Sequence, residues 1–295
     1  MNKSRSASLA LITVALAWGA GFVLMEPAIE KHPTFNFLGF RFTIAVLVMV
    51  LIRPSVLSKL NKTLLIQGGL LGLALGGGYV TQTLGLLYST AAITGFFTGL
   101  YVALTPLLAW VFLRHRISRK ALVGVVIATI GLGILSAGSV SFGWGEIALL
   151  ACAVLFALHI IGLGLWSQKH DAYALTVVQL ATCALLSWAG ALTWDGGIQL
   201  PPDGEVWVAI LFTAVFATAV AFLVQTWAQG FLEPSRVAII LTSEIVFAAL
   251  IAYGIGQEEP TLFSVLGGSV MLMAMLIVEW PSKEKEFVPL EPMAH

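Results

Sequence analysis

Ten nearly uninterrupted apolar stretches, at about 7–26, 35–52, 64–87, 90–112, 121–138, 146–166, 172–194, 205–231, 237–256 and 262–280, follow one another along the chain, separated by short charged, polar or proline-containing breaks. A helix needs about 20 predominantly apolar residues to cross the hydrocarbon core of a bilayer, and most of these runs approach or exceed that length. They are continuous rather than alternating, which sets aside a membrane β-barrel. That leaves the α-helix, in which every backbone group is satisfied inside its own segment. Composition agrees: 59% of the 295 residues are aliphatic, aromatic, Met or Cys, and 10% are charged, against about 25% charged in soluble domains. Ten spans consume roughly 200 residues, so the reading is an all-α integral membrane protein with no room for a soluble catalytic domain.

Charge gives the topology. Basic and acidic residues balance at 15 each, so no positive field recruits nucleic acid. Thirteen of the 15 cations fall in the tails and alternate loops: Lys3, Arg5, Arg53, Lys59, Lys62, Arg114, Arg116, Arg119, Lys120, Lys169, Arg236, Lys283 and Lys285. The other loops hold Lys31 alone, and Arg41 lies inside the second stretch. The positive-inside rule therefore places both termini in the cytoplasm, with Asp195, Asp203, Glu205, Glu258 and Glu259 on the opposite face. The basic start leads into an apolar run without a convincing small-residue cleavage site, so that run is read as a retained span. Cys152 and Cys183 both lie in apolar runs and read as small core residues.

The two halves of the chain resemble each other. An offset of 138 carries Glu30-Lys31-His32 onto Gln168-Lys169-His170, Trp18 onto Phe156 and Arg41 onto Gln179. An offset of 143 carries Tyr79-Val80-Thr81-Gln82-Thr83 onto Phe222-Leu223-Val224-Gln225-Thr226 and Gly124 onto Gly267. Five spans per half is an odd number, so the halves (1–138 and 139–281) are expected to be inverted repeats, followed by a cytoplasmic tail at 282–295.

The ten-span order, Ala17-Trp18-Gly19 in the first span, Arg41 early in the second, and Gly124 and Gly267 near the starts of spans five and ten together resemble the EamA-type branch of the drug/metabolite transporter superfamily. Glu244-Ile245 stands where that family commonly has Glu-Pro, and Glu258-Glu259 where it has Glu-Arg. The resemblance implies transport of a small metabolite, with amino acids and aromatic or cationic compounds among the substrates of relatives, its aromatic amino acid exporters included.

A few residues are costly in lipid and need a reason. Glu244 lies about eight residues into the ninth stretch, where an ionised carboxylate costs roughly 2.5–3.5 kcal/mol on insertion scales. It is either a protonatable or substrate-contacting group or a structural carboxylate satisfied by Thr242, Ser243 or backbone. Arg41 either snorkels outward, pairs with Glu26 or Glu30, or meets a substrate carboxylate bidentately. His159, near the middle of span six, either hydrogen-bonds substrate, couples protons, or packs as a satisfied core histidine. Trp18, Tyr79 with Gln82, Tyr101, Trp166, and Gln225 with Trp227 come from different spans at comparable depths, the mixture of aromatic walls and orienting polar groups a midplane pocket needs. For the two glutamines the alternative is interhelical hydrogen bonding, and for the tryptophans packing or interfacial anchoring, as for Trp194, Trp207 and Trp280. Gly68-x3-Gly72-x3-Gly76 and Gly95-x3-Gly99 read as close helix-packing stripes, and Pro106 as a kink in span four.

These features favour a secondary carrier for amino acids, aromatic ones first, working by alternating access. An exporter of drug-like or quaternary cations is the alternative. No Walker-type loop accompanies a nucleotide site, no His-Glu-x2-His or Gly-x-Ser-x-Gly supports an intramembrane enzyme, and no filter motif supports a channel. Neither a metal nor a cofactor is expected. The expected partners are the small-molecule substrate and the lipid of a prokaryotic cytoplasmic membrane, and the oligomeric state is left open with a monomer sufficient.

Overall fold

A computed structural model of the protein describes residues 3–88, 94, 97–113, 118–135, 143–256 and 259–279. The tail at 282–295, Arg114, Arg116, Gly95, Glu258 and Trp280, all used in the sequence reading, lie outside these residues, as does the side chain of Glu26. Every regular element among the described residues is helical. The helices are α1 (Lys3–Lys31), α2 (Thr34–Ile52), α3 (Lys62–Leu87), α4 (Tyr101–Leu113), α5 (Arg119–Leu135), α6 (Trp144–Trp166) and α7 (Ala172–Thr193). Then come α8 (Gly204–Ala214), a π-helical turn at Val215–Val220, α9 (Ala221–Ala228), α10 (Pro234–Thr242), α11 (Glu244–Gly254) and α12 (Leu262–Glu279). Counting Gly204–Ala228 and Pro234–Gly254 as continuous segments, seven of the described helices are long and apolar enough to cross a membrane. The stretches expected as spans four, five and ten give shorter described helices, α4, α5 and α12.

The helix ends follow local chemistry. Asp171 and Asp203 accept from the backbone N–H of Ala174 and Val206 at 3.1 and 2.9 Å, and so cap α7 and α8. Asn61 and Ser118 do the same for α3 and α5. Pro234 opens α10 from the first helical position, where its missing N–H is not needed. The turn after α7 uses Gly196 and Gly197 at φ 78° and 129°, a region closed to most side chains. The first helix runs from Lys3 to Lys31, well beyond the expected 7–26, and passes through Pro27. At 1.5 Å per residue it is roughly 44 Å long, so its ends extend past the hydrocarbon core.

Glycine decides how closely the helices approach. A Cβ added at Gly72 on α3 would sit 2.5 Å from Thr182 Cβ and 2.6 Å from the Gln179 carbonyl oxygen on α7. Gly68 and Gly76 meet Val178 and Leu186 in the same way, so the stripe read from the sequence is a packing surface, and it faces α7. Gly131 on α5 packs equally tightly on Gly267 and Met271 of α12. Of the five buried clusters among the described residues, three are large. One joins α2 and α3 to α7, α8 and α9, a second joins α4, α5 and α6 to α10, α11 and α12, and a third joins α1 to α9 and α10. Trp18 packs on the first and third, and Phe156 on the first and second.

Polar ties fix both ends of the α2–α7 pair. At one end Asn36 receives the N–H of Gln199 at 2.8 Å and donates through Nδ2 to Asp195 and to the Gly197 carbonyl, both at 3.0 Å. At the other end Asp171 pairs with Arg53 and Lys59, and Tyr173 donates to the Met49 carbonyl at 2.6 Å. Burial pushes the Asp171 carboxyl upward, but Lys59, the Ala174 N–H and Arg53 outweigh it and hold the group below the usual carboxylate range.

Gly72→Ala is expected to destabilise the protein by about 1–3 kcal/mol through overpacking against α7. Gly69→Ala, at a position with nothing within 4 Å of an added Cβ, is expected to leave stability unchanged or raise it slightly. Thermal unfolding of both variants in the same detergent checks this; equal losses would overturn it.

Candidate functional site

The three clusters leave between them a cavity of about 70 Å³. The eight residues singled out from the sequence all line it: Trp18 from α1, Arg41 from α2, Tyr79 and Gln82 from α3, Tyr101 from α4, His159 from α6, Gln225 from α9 and Glu244 from α11. Trp166 and Trp227 do not. Trp166 packs on Leu71, Leu163 and Leu175, and Trp227 meets Phe231 edge-on at 5.4 Å, so these two make packing contacts away from the cavity.

Arg41 departs from the expected snorkelling and from the expected pairing with Glu30; the pairing with Glu26 rests on a side chain outside the described residues. Arg41 is 4% exposed and turned into the protein, so it does not snorkel outward, and Glu30 is exposed rather than paired with it. Its Nε donates to Thr218 Oγ1 at 2.6 Å and Nη2 to the Ala217 carbonyl at 3.3 Å, while among the described residues Nη1 hydrogen-bonds only the Met25 sulfur, at 3.9 Å. The guanidinium lies 5.5 Å from the Tyr79 ring and 5.6 Å from that of Phe42. Among the described residues it forms no ion pair.

The partners of Arg41 sit on the π-helical turn Val215–Val220. There the N–H of Ala221 goes to the carbonyl of Phe216 instead of that of Ala217. The Ala217 carbonyl is thus open to side chains, and it accepts from Trp18 Nε1 at 2.7 Å as well as from Arg41. Such single π turns inside longer helices recur at functional sites.

The remaining polar groups divide into satisfied and unsatisfied. His159, 2% exposed, meets Gln179 Oε1 at 2.8 Å through Nε2, and Gln179 Nε2 donates to the Leu175 carbonyl. Because the Gln179 oxygen is then the acceptor, His159 carries its proton on Nε2. Gln82 Nε2 reaches Thr98 Oγ1 at a long 3.4 Å. Gln225 donates to Gln229 at 3.1 Å, which in turn donates to the Ile160 carbonyl at 2.6 Å. Two atoms lack partners: the Tyr101 hydroxyl and Gln225 Oε1, both fully buried and without a hydrogen bond among the described residues. A buried polar atom left so costs about 1–3 kcal/mol. Glu244 is half-buried and joins no ion pair among the described residues, which sets aside neither of its expected roles. The walls are aromatic: Trp18 lies 5.3 Å from Phe222, and Tyr79 meets Phe156 edge-on at 5.5 Å.

Glu244 also opens a helix. Regular helix stops at Thr242 and restarts at Glu244, with Ser243 between them donating its hydroxyl to the Ile240 carbonyl at 2.6 Å. Serine and threonine hydroxyls that bond back into their own helix bend it, and Thr242 does so too. The helical turn at Phe97–Gly99 is likewise broken at Leu100 before α4 starts at Tyr101. The sequence offset of 143 carries Leu100 onto Ser243 and Tyr101 onto Glu244. It also carries Tyr79, Gln82 and Thr98 onto Phe222, Gln225 and Leu241, and the offset of 138 carries Trp18 and Gly21 onto Phe156 and His159; all of these line the cavity.

Sequence reasoning missed Thr218, Ala217, Phe156 and Phe222. The signal for Phe156 and Phe222 was their place as the repeat partners of Trp18 and Tyr79; that for Thr218 was fainter, a hydroxyl opposite Leu75 at the offset of 143. Among the described residues no cluster of three or more His, Cys, Asp or Glu gathers that would hold a metal ion.

The chain is similar to known transporters over nearly its full length. It is 32% identical over 272 residues to an uncharacterized transporter of Archaeoglobus fulgidus, covering 92% of this chain and 85% of that protein. It is 24% identical to the uncharacterized transporter YvbV of Bacillus subtilis, covering 97% and 95%. A crystal structure of a protein 19% identical superposes with a TM-score of 0.79, covering 93% of this chain and 96% of the other, which speaks for the fold alone. The model of the EamA-like transporter family matches residues 5–137 and again 143–280, and the chain belongs to that family.

Proposed function

We propose that this protein is a secondary carrier for amino acids, aromatic ones first, and not an enzyme. In this reading ten spans form two inverted five-helix repeats, 1–138 and 139–281, in the cytoplasmic membrane of a prokaryote, with both termini cytoplasmic. The observation that carries the substrate class is a single aromatic-walled cavity holding one cation and one carboxyl group, Arg41 and Glu244, neither of them in an ion pair among the described residues. A free amino acid matches that pattern. Its carboxylate takes the open Nη1 edge of Arg41, its ammonium takes Glu244 and the Gln225 oxygen, and its ring lies among Trp18, Tyr79, Phe156 and Phe222. Burying the two charges of the substrate is favourable when each finds its counterpart already fixed in place.

The interruptions at Leu100 and Ser243 support alternating access between repeats. Broken helices at corresponding positions of two halves are the usual mark of a carrier's central site, since irregular backbone is tolerated at membrane depth where it lines a cavity. The double match to the family model and the repeat-related pairs of lining residues support the same reading.

A second reading has its own observation. Glu244, with no cationic partner among the described residues and aromatic rings about the cavity, suits an organic cation held by charge and by cation–π contact.

Purified protein in liposomes is expected to take up labelled phenylalanine and tryptophan saturably, above empty liposomes, and an imposed pH gradient separates coupled from facilitated transport. Arg41→Gln is expected to lower amino acid uptake at least about tenfold, the equivalent of about 1.4 kcal/mol. Saturable uptake of a quaternary aromatic cation that needs Glu244, with no amino acid uptake, would replace this reading by the second. Tyr101→Phe removes an unsatisfied buried hydroxyl, so thermal unfolding should show no loss of stability, and a gain of up to about 1 kcal/mol. If the hydroxyl serves substrate, the same variant raises the half-saturation concentration for phenylalanine.

A further inference from the structure

A guanidinium buried at membrane depth needs its orientation fixed, because each N–H left without a partner there is costly. Among the described residues the hydrogen bonds of Arg41 to oxygen reach the other half of the chain, while the first half sets the Tyr79 ring 5.5 Å from the guanidinium. Arg41 is oriented by the other half of the chain, by Thr218 and by the Ala217 carbonyl, one turn of π-helix inside Gly204–Ala228. Thr218 itself is fully buried, does not line the cavity, and sits 2.6 Å from Arg41 Nε. Its hydroxyl binds the one N–H that points back along the side chain, and so it fixes the plane of the fork. Among the described residues Nη1 hydrogen-bonds the polarisable sulfur of Met25 alone, at a long 3.9 Å, which leaves it as the edge available to an incoming ligand. At the matching position of the first half, Leu75 has no group able to do this, and Gln179, which matches Arg41, is bound to His159 instead.

We propose that Thr218 is a specificity-determining positioning residue: by holding Arg41 Nε on the π turn it turns the Nη1 edge toward the cavity, and thereby makes the carrier choose substrates with a carboxylate. The proposal rests on the amino acid reading above. It also assigns the π turn a purpose, since a regular helix would engage the Ala217 carbonyl with the N–H four residues on. Thr218 touches no substrate; it acts through Arg41.

The test compares phenylalanine with phenylalaninamide, which keeps ring and amine but lacks the carboxylate, as competitors of labelled phenylalanine uptake in proteoliposomes. Thr218→Val, of nearly the same shape, is expected to raise the half-saturation concentration for phenylalanine about tenfold or more while leaving that for the amide unchanged. Thr218→Ser, which restores the oxygen, is expected to return within about threefold of the wild type, the equivalent of about 0.65 kcal/mol. A purely structural threonine would weaken both competitors alike, and that result, or Thr218→Ser failing as Thr218→Val does, overturns the proposal. Where Thr218→Val does not yield folded protein, Thr218→Ala removes the same oxygen and reads the same ratio. An independent measurement needs no substrate: in protein labelled with 15N-arginine, the Arg41 Nε–H resonance, identified by its loss in Arg41→Lys, exchanges slowly with solvent and should shift and exchange faster in Thr218→Val but not in Thr218→Ser. If the wild type ignores phenylalanine, the amino acid reading falls and this resonance alone decides the positioning role; an unchanged resonance in Thr218→Val overturns it.

Discussion

The burial of one guanidinium organises the centre of this molecule. A charged side chain at the middle of a membrane helix costs roughly 2.5–3.5 kcal/mol on insertion scales, and Arg41 forms no ion pair among the described residues to offset that cost. The offset comes instead from a hydroxyl, a carbonyl and two ring faces: Thr218, Ala217, Tyr79 and Phe42. A cation over a ring gains about 0.5–2 kcal/mol when desolvated, and a hydrogen bond to a charged group about 1.5–3 kcal/mol. Each helps, and all demand geometry. The open Ala217 carbonyl requires the π turn, the turn lies in the middle of an otherwise regular membrane-length segment, and Trp18 ties α1 to the same oxygen. Three segments distant in sequence are therefore locked around Arg41 before any substrate arrives.

Much of this was readable in advance because lipid is an unforgiving solvent. Continuous apolar runs admit one kind of secondary structure, and the few polar residues inside them stand out against a background that penalises them, which is why Arg41, Gln82, His159, Gln225 and Glu244 could be picked singly and are found around one cavity. The reading of Arg41 went astray on direction. Snorkelling is the default where a long side chain has only lipid and water to choose between; here a neighbouring helix offered an oxygen 2.6 Å away, and a chain read one segment at a time does not contain that neighbour. The π turn was hidden for a related reason. Val215-Phe216-Ala217-Thr218-Ala219-Val220 holds no glycine or proline, and the extra residue in the turn is stabilised by tertiary partners rather than by local preference. Trp166 and Trp227, for which packing or interfacial anchoring was the standing alternative, do not line the cavity, since a ring at the right depth says nothing about which side of its helix faces inward.

Inventory and satisfaction are separate questions in a site of this kind. Gln179 spends both ends of its amide, on His159 and on the Leu175 carbonyl, and thereby fixes which nitrogen of His159 bears the proton. Gln225 spends only its donor end. Its oxygen and the Tyr101 hydroxyl remain as the two buried polar atoms at the cavity without a hydrogen bond among the described residues, a cost that a bound ligand or water relieves.

The unlike ends of the cavity follow from how the two halves have diverged. The offsets that align them place Gln179 against Arg41 and Tyr101 against Glu244, so each charge-bearing residue faces a neutral one at the matching position. A site built from two equal halves would hold a substrate equally well in two opposite poses. Here the cation belongs to one half and the carboxyl group to the other, so in the proposed site a substrate with one charge at each end would have a single favourable orientation. Under the proposed alternating access, rocking of the halves would stretch such a substrate between them, so the step that exchanges access would also change the distance between its two anchors. A ligand with only one charged end would escape this coupling, so in the proposed carrier the pairing of Arg41 with Glu244, more than either residue alone, is what would distinguish an amino acid from an organic cation.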